Sequence, residues 1–529
     1  MNASLRQRVL DILQWIGLAI VLCGMVFSNF FMSFGAFWLV GVWLLNLLNT
    51  HFSGGSLRDV FAEFIQDKTY WAVSAIYALP LIGLLWTDDF GFALWDLRMK
   101  LPILFMPFLI ASLRPISELS RSSLIWVFLT AIFVAILICS GVYYGVTGKE
   151  VRNVREASIF ISHIRFSILI VFGVILIYFK IRKHTLHAVY GVPMALIFIW
   201  YLWRMESMTG IFMLAVWVAL MLIYHALRTG SSIRRWAIMG AVVIGTTGVF
   251  IYIAQAYQCY FSSPEINVVA LDEHTMDGEK YDHRPENHQL QDGNYIWLYN
   301  AWGELEATWR ERSTLPFDSL DAKGNPLKGT LVRYLTSKGL RKDREGVMSL
   351  EDEEIVRIEN GTTSYYANSH SGLRKRLDKI FFEIDNYRNG GSPNGHSVLQ
   401  RLEFWITGMA IFKEHPMMGV GTGDLKKSFK SMYEERQSGL SEKNRLRAHQ
   451  QFLTMFITYG IIGGLIFIVL VFYPLTSLWN RKNHYYLSFF LLFLLSCLTE
   501  DTLETQAGVT FFTFLSPFLI RYFKPKTNV

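Results

Sequence analysis

The stretch at residues 122–146, SSLIWVFLTAIFVAILICSGVYYGV, contains no charged side chain. The hydrocarbon core of a bilayer is about 30 Å thick, so roughly 20 consecutive apolar residues are needed for one α-helix to cross it. A helix also satisfies its own backbone hydrogen bonds, for which lipid offers no replacement. This stretch therefore predicts a transmembrane helix, and the same test applies to the rest of the chain.

The composition extends this prediction to most of the protein. Of the 529 residues, 52% are hydrophobic and only 18% are charged, a balance too apolar for an ordinary soluble globule. About twelve apolar runs are long enough to count as spans. They lie near residues 10–30, 34–50, 71–86, 99–113, 122–146, 165–181, 188–203, 208–227, 236–256, 451–473, 484–498 and 507–521. We therefore predict an all-α polytopic membrane protein with about twelve transmembrane helices.

The charges between these runs predict the orientation of the chain. Short cytoplasmic loops are enriched in lysine and arginine. Basic residues lie in every second connecting segment, beginning with Arg6 before the first run and ending with Lys524 and Lys526 after the last. Both termini are therefore predicted to be cytoplasmic, and residues 257–450 are predicted to lie outside the cytoplasm.

The long segment between the ninth and tenth runs is polar and long enough to form a small core of its own. An acidic helical pattern at Leu350–Asn360 and turn sequences at Gly324–Pro326 and Gly390–Pro393 indicate a large, mainly helical extracytoplasmic domain. The predicted domains are a membrane domain at 1–256 with helices 1–9, an extracytoplasmic domain at 257–450, and a membrane domain at 451–529 with helices 10–12.

Two classes of function are disfavoured by the residues present. The net charge of +7 would suit nucleic acid, but the basic residues are spread over many loops, so no nucleic-acid partner is predicted. The four cysteines form no CxxC pair and no Cys/His cluster, and the chain has no HExxH. We therefore predict no metal and no other cofactor.

Charged residues at the predicted outer boundary of the membrane are the candidates for chemistry. His449 precedes the tenth run and could act as a general base, although an interfacial histidine satisfied by water or headgroups is the simpler interpretation. Arg401 lies four residues before Trp405, so on a helix the ring could orient the guanidinium towards a phosphate. An amphipathic helix resting on the membrane would show the same spacing.

Three further cations stand where the positive-inside rule disfavours them. Arg165 marks the outer end of the sixth run, and Arg98 and Lys100 mark that of the fourth. Together with Arg401 they could form an outward-facing site for a diphosphate. Snorkelling to lipid headgroups is the alternative interpretation for each of them.

Two other features favour a structural interpretation. The turn Gly419-Val-Gly421-Thr-Gly423 lacks the Gly-Lys-Ser/Thr ending of a phosphate-binding loop, so we interpret it as a structural turn. The carboxylates Glu500, Asp501 and Glu504 could orient a substrate or a cation, but a solvated loop is the favoured interpretation.

Four motifs follow one another near the end of the chain. They are Arg401-Leu-Glu-Phe-Trp405, His415-Pro-Met-Met-Gly419-Val-Gly421, His449-Gln-Gln-Phe-Leu453 and Tyr459-Gly-Ile-Ile-Gly463. This ordered set, in a chain of about twelve spans with a large outer loop before the last few, resembles the O-antigen ligase and polymerase superfamily of bacterial envelope glycan assembly.

The resemblance implies an enzyme that moves a glycan from an undecaprenyl-diphosphate carrier to an acceptor hydroxyl, without a metal, on the outer face of the bacterial inner membrane. It implies that His449 is the essential histidine and that Arg401 and Arg165 hold the diphosphate. We expect Arg98 or Lys100 to assist.

The lipid A core is the expected acceptor, which would make the outer domain periplasmic, with membrane lipids around the spans. Three alternatives remain open: an O-antigen or exopolysaccharide polymerase, a protein O-oligosaccharyltransferase, and, in a different class, a polysaccharide or lipid transporter or flippase.

Overall fold

The computed structural model describes residues 3–146, 148, 154–262, 266–367, 372–480 and 482–523. The basic residues Lys524 and Lys526, which contributed to the predicted orientation, lie outside the described residues. The chain divides into two compact units, one made of residues 1–220 and 401–529 and the other of residues 221–400.

The helices of the first unit come from both ends of the chain. Its first part contains α1 (Ala3–Phe27), α2 (Asn29–Phe52), α3 (Leu57–Gln66), α4 (Lys68–Ala75), α5 (Ala78–Ile82), α6 (Phe90–Ser112), α7 (Glu118–Tyr143), α8 (His163–Arg182), α9 (Ala188–Arg204) and most of α10 (Met208–Arg228). Its second part contains most of α17 (Ser397–Glu414), then α18 (Leu425–Glu435), α19 (Gln451–Asn480), α20 (His484–Thr499) and α21 (Gln506–Tyr522).

The second unit is helical apart from one short hairpin. It contains α11 (Ser232–Phe261), α12 (Trp302–Arg312), α13 (Leu327–Ser337), α14 (Arg344–Met348), α15 (Asp352–Glu359), α16 (Gly372–Arg388), and the antiparallel strands β1 (Leu290–Gln291) and β2 (Asn294–Tyr295). Trp309 and Tyr334 are fully buried in its core. The predicted acidic helix is α15, which begins with a capping box formed by Glu351 and Glu354.

Each predicted apolar run falls on helical structure, so the all-α class is confirmed. By length and composition, eight helical segments in the described part of the chain could cross a membrane: Leu5–Phe27, Asn29–Phe52, Lys68–Trp86, Glu118–Tyr143, His163–Arg182, Met208–Arg228, Ser232–Phe261 and Gln451–Trp479. Helices α9 and α20 are apolar but shorter, and α6 carries Asp96, Arg98 and Lys100. The count of about twelve spans therefore stays a prediction.

Membrane helix α19 is broken at Gly460, whose φ of 66° and ψ of −169° are not helical. The turn after α17 occupies this break. The Val420 N–H donates to the Ile457 carbonyl at 3.0 Å, and the Ile461 N–H donates to the Pro416 carbonyl at 2.8 Å. The turn thus satisfies backbone groups that the break would leave without partners, which membrane helices require.

The same turn is held from its other side by the segment that precedes α6. The Thr422 hydroxyl donates to the Pro80 carbonyl at 2.8 Å, and Asp424 accepts a hydrogen bond from the Asp88 N–H at 2.7 Å. Because its N–H groups bond to protein, the turn is not a phosphate cradle, and its structural interpretation is confirmed. These contacts also place residues 401–450 in one compact unit with the membrane helices, and the predicted extracytoplasmic location of these residues stays a prediction.

Candidate active site

A chain of alternating charges joins four separate parts of the sequence in the first unit. Its members come from α6, from the start of α17, from the segment before α19, and from the loop between α20 and α21. In order of contact they are Asp96, Lys100, Glu504, Arg447, Asp501, His449, Glu500 and Arg401. We call these eight residues the charge chain. It brings together three of the predicted site residues: His449, Arg401 and Lys100.

His449 lies at the exposed end of the charge chain. Its Nδ1 is 3.2 Å from Glu500 Oε2 and 3.4 Å from Asp501 Oδ1. The centres of the His449 and Phe404 rings are 5.6 Å apart. Carboxylates on Nδ1 fix the proton there, which leaves Nε2 as the basic nitrogen of the neutral ring. The side chain is 30% exposed, so an acceptor hydroxyl can approach it.

The backbone of His449 is unusual as well. Its φ is 47°, in the left-handed region that residues other than glycine seldom adopt. Such conformations are retained where the surrounding structure requires them, and they concentrate at functional sites. Immediately after it, the Gln450 side chain accepts from the Leu453 N–H and caps α19. The sequence predicted the position of His449 at the mouth of a membrane helix but not this conformation.

Arg401 is oriented by a carboxylate and not by an aromatic ring. Its Nη2 donates to Glu500 Oε1 at 2.8 Å. The expected contact with Trp405 is wrong: in the described part of the chain no cation–π contact joins the two, and Trp405 is 41% exposed. The ring that helps to build the site is that of Phe404, which lies against His449. A shared helix face permits a contact, but a stronger partner for the guanidinium was available in Glu500.

The remaining acidic residues of this loop are buried. Asp501 and Glu504 are each 4% exposed, so the favoured interpretation of a solvated acidic loop was wrong. Arg447 lies 3.3 Å from both of them, and Lys100 Nζ lies 2.8 Å from Glu504. These two carboxylates lose their hydration only because cations replace it, and the cations here come from residues distant in sequence.

Lys100 and Arg98 have opposite environments on α6. Lys100 is 4% exposed and is held by Asp96 at 2.9 Å as well as by Glu504. Arg98, two residues earlier and so on the other side of the helix, is exposed. Asp96 and Arg447 were not predicted as site residues. The spacing of Asp96 and Lys100, four residues apart in an apolar helix, was the available signal for the first of them.

Arg165 lies near the same site without joining the charge chain. It is half-buried at the start of α8, and it lines a cavity together with Glu500. The walls of this cavity are largely apolar and include Ile168, Leu169 and Phe511. The arrangement therefore combines cationic side chains at one end with an apolar surface beside them, which suits an anionic group attached to a lipid chain.

The surroundings of His449 raise its pKa above the ordinary value of 6.5. Burial lowers the pKa, but the hydrogen bond to Glu500 and the negative charges of Asp501 and Glu500 outweigh burial, while Arg401 opposes them. The imidazole therefore becomes neutral, and able to accept a proton, at a higher pH than a free histidine.

The same residues could in principle hold a metal ion. One ligand atom each from His449, Glu500 and Asp501 lies within 4.8 Å of the others. However, Glu500 already pairs with Arg401 and Asp501 with Arg447, so the negative charge that would attract a cation is largely compensated. His449, Glu500 and Asp501 therefore fit a metal ion poorly, and the metal independence of the site stays a prediction.

Fold and site together define a multi-pass membrane protein with a histidine and an arginine held by one carboxylate at the mouth of a membrane helix. Residues 361–468 match the protein family described as O-antigen ligase. The match includes Arg401, the turn that fills the break in α19, His449 and Gly460, and it confirms the resemblance to the O-antigen ligase superfamily. No curated protein matches the chain.

Proposed function

We propose that this protein is a glycosyltransferase that moves a glycan from an undecaprenyl-diphosphate carrier to an acceptor hydroxyl on the outer face of the bacterial inner membrane. The observation that carries the proposal is the bonding of His449 and Arg401 to the two oxygens of one carboxylate, Glu500, within the segment that matches the O-antigen ligase family. A base and a phosphate ligand are thereby fixed relative to each other.

In the proposed reaction, His449 Nε2 removes the proton from the acceptor hydroxyl. The hydroxyl oxygen attacks the anomeric carbon of the glycan, and the bond between that carbon and the diphosphate oxygen breaks. The diphosphate leaves on its lipid carrier with the bonding electrons. Because the Nδ1–H of His449 faces Glu500 and Asp501, the imidazolium that forms is stabilised by both carboxylates.

We assign to Arg401 and Arg165 the stabilisation of the negative charge that develops on the leaving diphosphate. Arg401 uses one nitrogen for Glu500, and its side chain is 32% exposed, so its other N–H groups remain for phosphate oxygens. Arg165 lines the neighbouring cavity, whose apolar walls suit the start of the lipid chain. Fixed cations of this kind stabilise a leaving group without reorganising during the reaction.

Lys100 and Arg98 have different roles in this proposal. Lys100 is buried between Asp96 and Glu504, so it acts as a positioning residue that stabilises the loop carrying Glu500. Loss of one partner from a buried ion pair typically costs about 3–5 kcal/mol. Arg98 is exposed and is retained as an assisting cation for the diphosphate or for lipid headgroups.

The acceptor in the proposal is the lipid A core, with residues 257–450 in the periplasm and both termini in the cytoplasm. A strain that lacks this gene tests the donor and the acceptor together. We expect undecaprenyl-linked glycan to accumulate in its membrane and one glycan-bearing product to disappear. Loss of glycan from lipid A core supports a ligase. Loss of long polymer or of glycoprotein would assign the polymerase or the protein transferase instead, and an unchanged glycan distribution would contradict transfer.

The rate of transfer is expected to rise with pH through the raised pKa of His449, because only the neutral imidazole accepts a proton. Glu500→Gln removes the strongest cause of the raised pKa, so the rise should move to lower pH. The measurement is the pH dependence of initial rates for wild type, Glu500→Gln and the control Glu414→Gln, whose side chain is exposed. A Glu500→Gln profile that coincides with the wild type would contradict the pairing of Glu500 with His449.

Removal of divalent metals is expected to leave transfer unchanged. Arg401 and Arg447 already compensate the carboxylates beside His449, so the site needs no cation for its charge balance. The measurement is the initial rate before and after dialysis against EDTA, followed by addition of Mg²⁺ or Ca²⁺. Loss of activity on dialysis and its return with either ion would contradict metal-independent transfer.

A further inference from the structure

A second pocket of the first unit lies where α7 and α9 end, away from the charge chain. Arg204, the last residue of α9, stands in it with Tyr143, Tyr144, Trp200 and Tyr201. The segment between α7 and α8 contributes to both sites, since Ala157 lines the Arg204 pocket and Ile161 and Ser162 line the cavity beside Glu500. The two sites are therefore neighbours along one stretch of chain.

The guanidinium of Arg204 is held in place but not neutralised. Its Nη2 donates to the Tyr143 hydroxyl at 2.6 Å, and its Cζ lies 4.4 Å from the centre of the same ring. Among the described residues no carboxylate forms an ion pair with it, although Glu206 is two residues away in sequence and Glu156 precedes the pocket residue Ala157. A fixed guanidinium with several free N–H groups and no anion is a ready ligand for one.

Tyr201 lines the same pocket, but its hydroxyl is buried away from it. The Tyr201 side chain is 3% exposed, and the Cys139 thiol lies beside its hydroxyl although Cys139 does not line the pocket. The group that gives the pocket its affinity for an anion is therefore the Arg204 guanidinium.

The surroundings of the pocket favour a lipid over a soluble anion. Trp200, Trp203 and Tyr144 are 48%, 53% and 60% exposed at the ends of apolar helices, as expected for the aromatic belt at a membrane interface. The predicted orientation places this end of α7 and α9 at the outer boundary, where an arginine is not needed to fix topology. A group bound here would have its charge at the level of the headgroups and its chains along the exposed apolar faces below.

We propose that the Arg204 pocket binds the phosphate of an anionic membrane lipid. The phosphate oxygens accept hydrogen bonds from the free N–H groups of Arg204, while Tyr144 and Trp200 pack against the glycerol and upper chain. This site differs from the proposed donor site in its residues, and its occupancy does not depend on glycan transfer.

The test uses the full-length protein in nanodiscs of phosphatidylcholine, with or without phosphatidylglycerol. Phenylglyoxal modifies accessible arginines, and mass spectrometry of the peptides gives the rate at Arg204 and, as an internal reference, at Arg182, which is exposed at the end of α8 and lies in neither proposed site. We expect phosphatidylglycerol to slow modification of Arg204 about tenfold, the change that roughly 1.4 kcal/mol of binding produces. Modification of Arg182 should not change, and millimolar inorganic phosphate in phosphatidylcholine discs should protect neither arginine.

Three results would overturn the proposal. Equal rates at Arg204 with and without phosphatidylglycerol would show that no anionic lipid binds there. Equal slowing of Arg204 and Arg182 would show a general effect of surface charge. Protection of Arg204 by inorganic phosphate alone would identify a soluble anion as the ligand. As a second measurement, native mass spectrometry should show one phosphatidylglycerol fewer retained by Arg204→Gln than by wild type or by Arg182→Gln.

Discussion

His449→Asn is expected to lower the rate of glycan transfer about 10²- to 10⁴-fold, the usual contribution of a positioned general base. Asparagine is the informative replacement because it tolerates the left-handed backbone that His449 adopts at φ 47°, whereas its amide cannot take a proton at neutral pH. The variant should therefore fold normally and still bind the lipid-linked donor. The measurement is the initial rate of transfer by purified protein, normalised to the amount of folded protein.

The matched control is His415→Asn in the same run of motifs. His415 is exposed at the end of α17, and it contacts the turn through its backbone carbonyl, which accepts from the Gly419 N–H at 3.0 Å. This control should transfer glycan at the wild-type rate. If His449→Asn is also folded and equally fast, His449 is not the base, and the interfacial interpretation of this histidine returns.

Gly460→Ala is expected to prevent accumulation of folded protein. The backbone of Gly460, at φ 66° and ψ −169°, lies in a region that is essentially restricted to glycine, and an added Cβ would overlap the Met417 carbonyl of the inserted turn. Neither partner can move without breaking the hydrogen bonds between the turn and α19. We expect a loss of more than about 3 kcal/mol, well above the typical effect of a point mutation.

The measurement for this prediction is the amount of monodisperse protein extracted in mild detergent and its thermal midpoint. Gly41→Ala in α2 is the control, because a Cβ at that position meets no atom within 4 Å and the backbone is helical. Gly41→Ala should behave as wild type. A Gly460→Ala protein as abundant and as heat-stable as wild type would contradict the insertion of the turn into α19.

The helices and the order of the motifs were predictable because each depends on local information. An apolar run identifies a membrane helix without reference to its neighbours, and the Pro416 and glycine pattern identifies a turn after α17. The break in α19 was not predicted. It exists because the turn supplies hydrogen-bond partners at Ile457 and Ile461, and that pairing is a property of the folded chain.

The charge chain was predicted only in part for the same reason. His449 and Arg401 stood out by position, but Glu500, which binds both, is about a hundred residues from Arg401 and appeared in the sequence as one of several acidic loop residues. Its neighbours Asp501 and Glu504 are buried because Arg447 and Lys100 replace their hydration. No period or spacing in the sequence reports which cation will meet which carboxylate.

Cleavage of the bond between a glycan and a lipid diphosphate by this protein can be measured with purified components. Wild-type protein in nanodiscs is mixed with undecaprenyl-diphosphate-linked glycan and lipid A core, and the products are quantified by mass spectrometry. We predict equal amounts of glycosylated lipid A core and free undecaprenyl diphosphate, both formed at least about a hundredfold more slowly with His449→Asn. Lipid-linked glycan could instead stay intact after prolonged incubation with each acceptor in turn: lipid, polymer or protein. That result would contradict glycosyl transfer and favour a transporter.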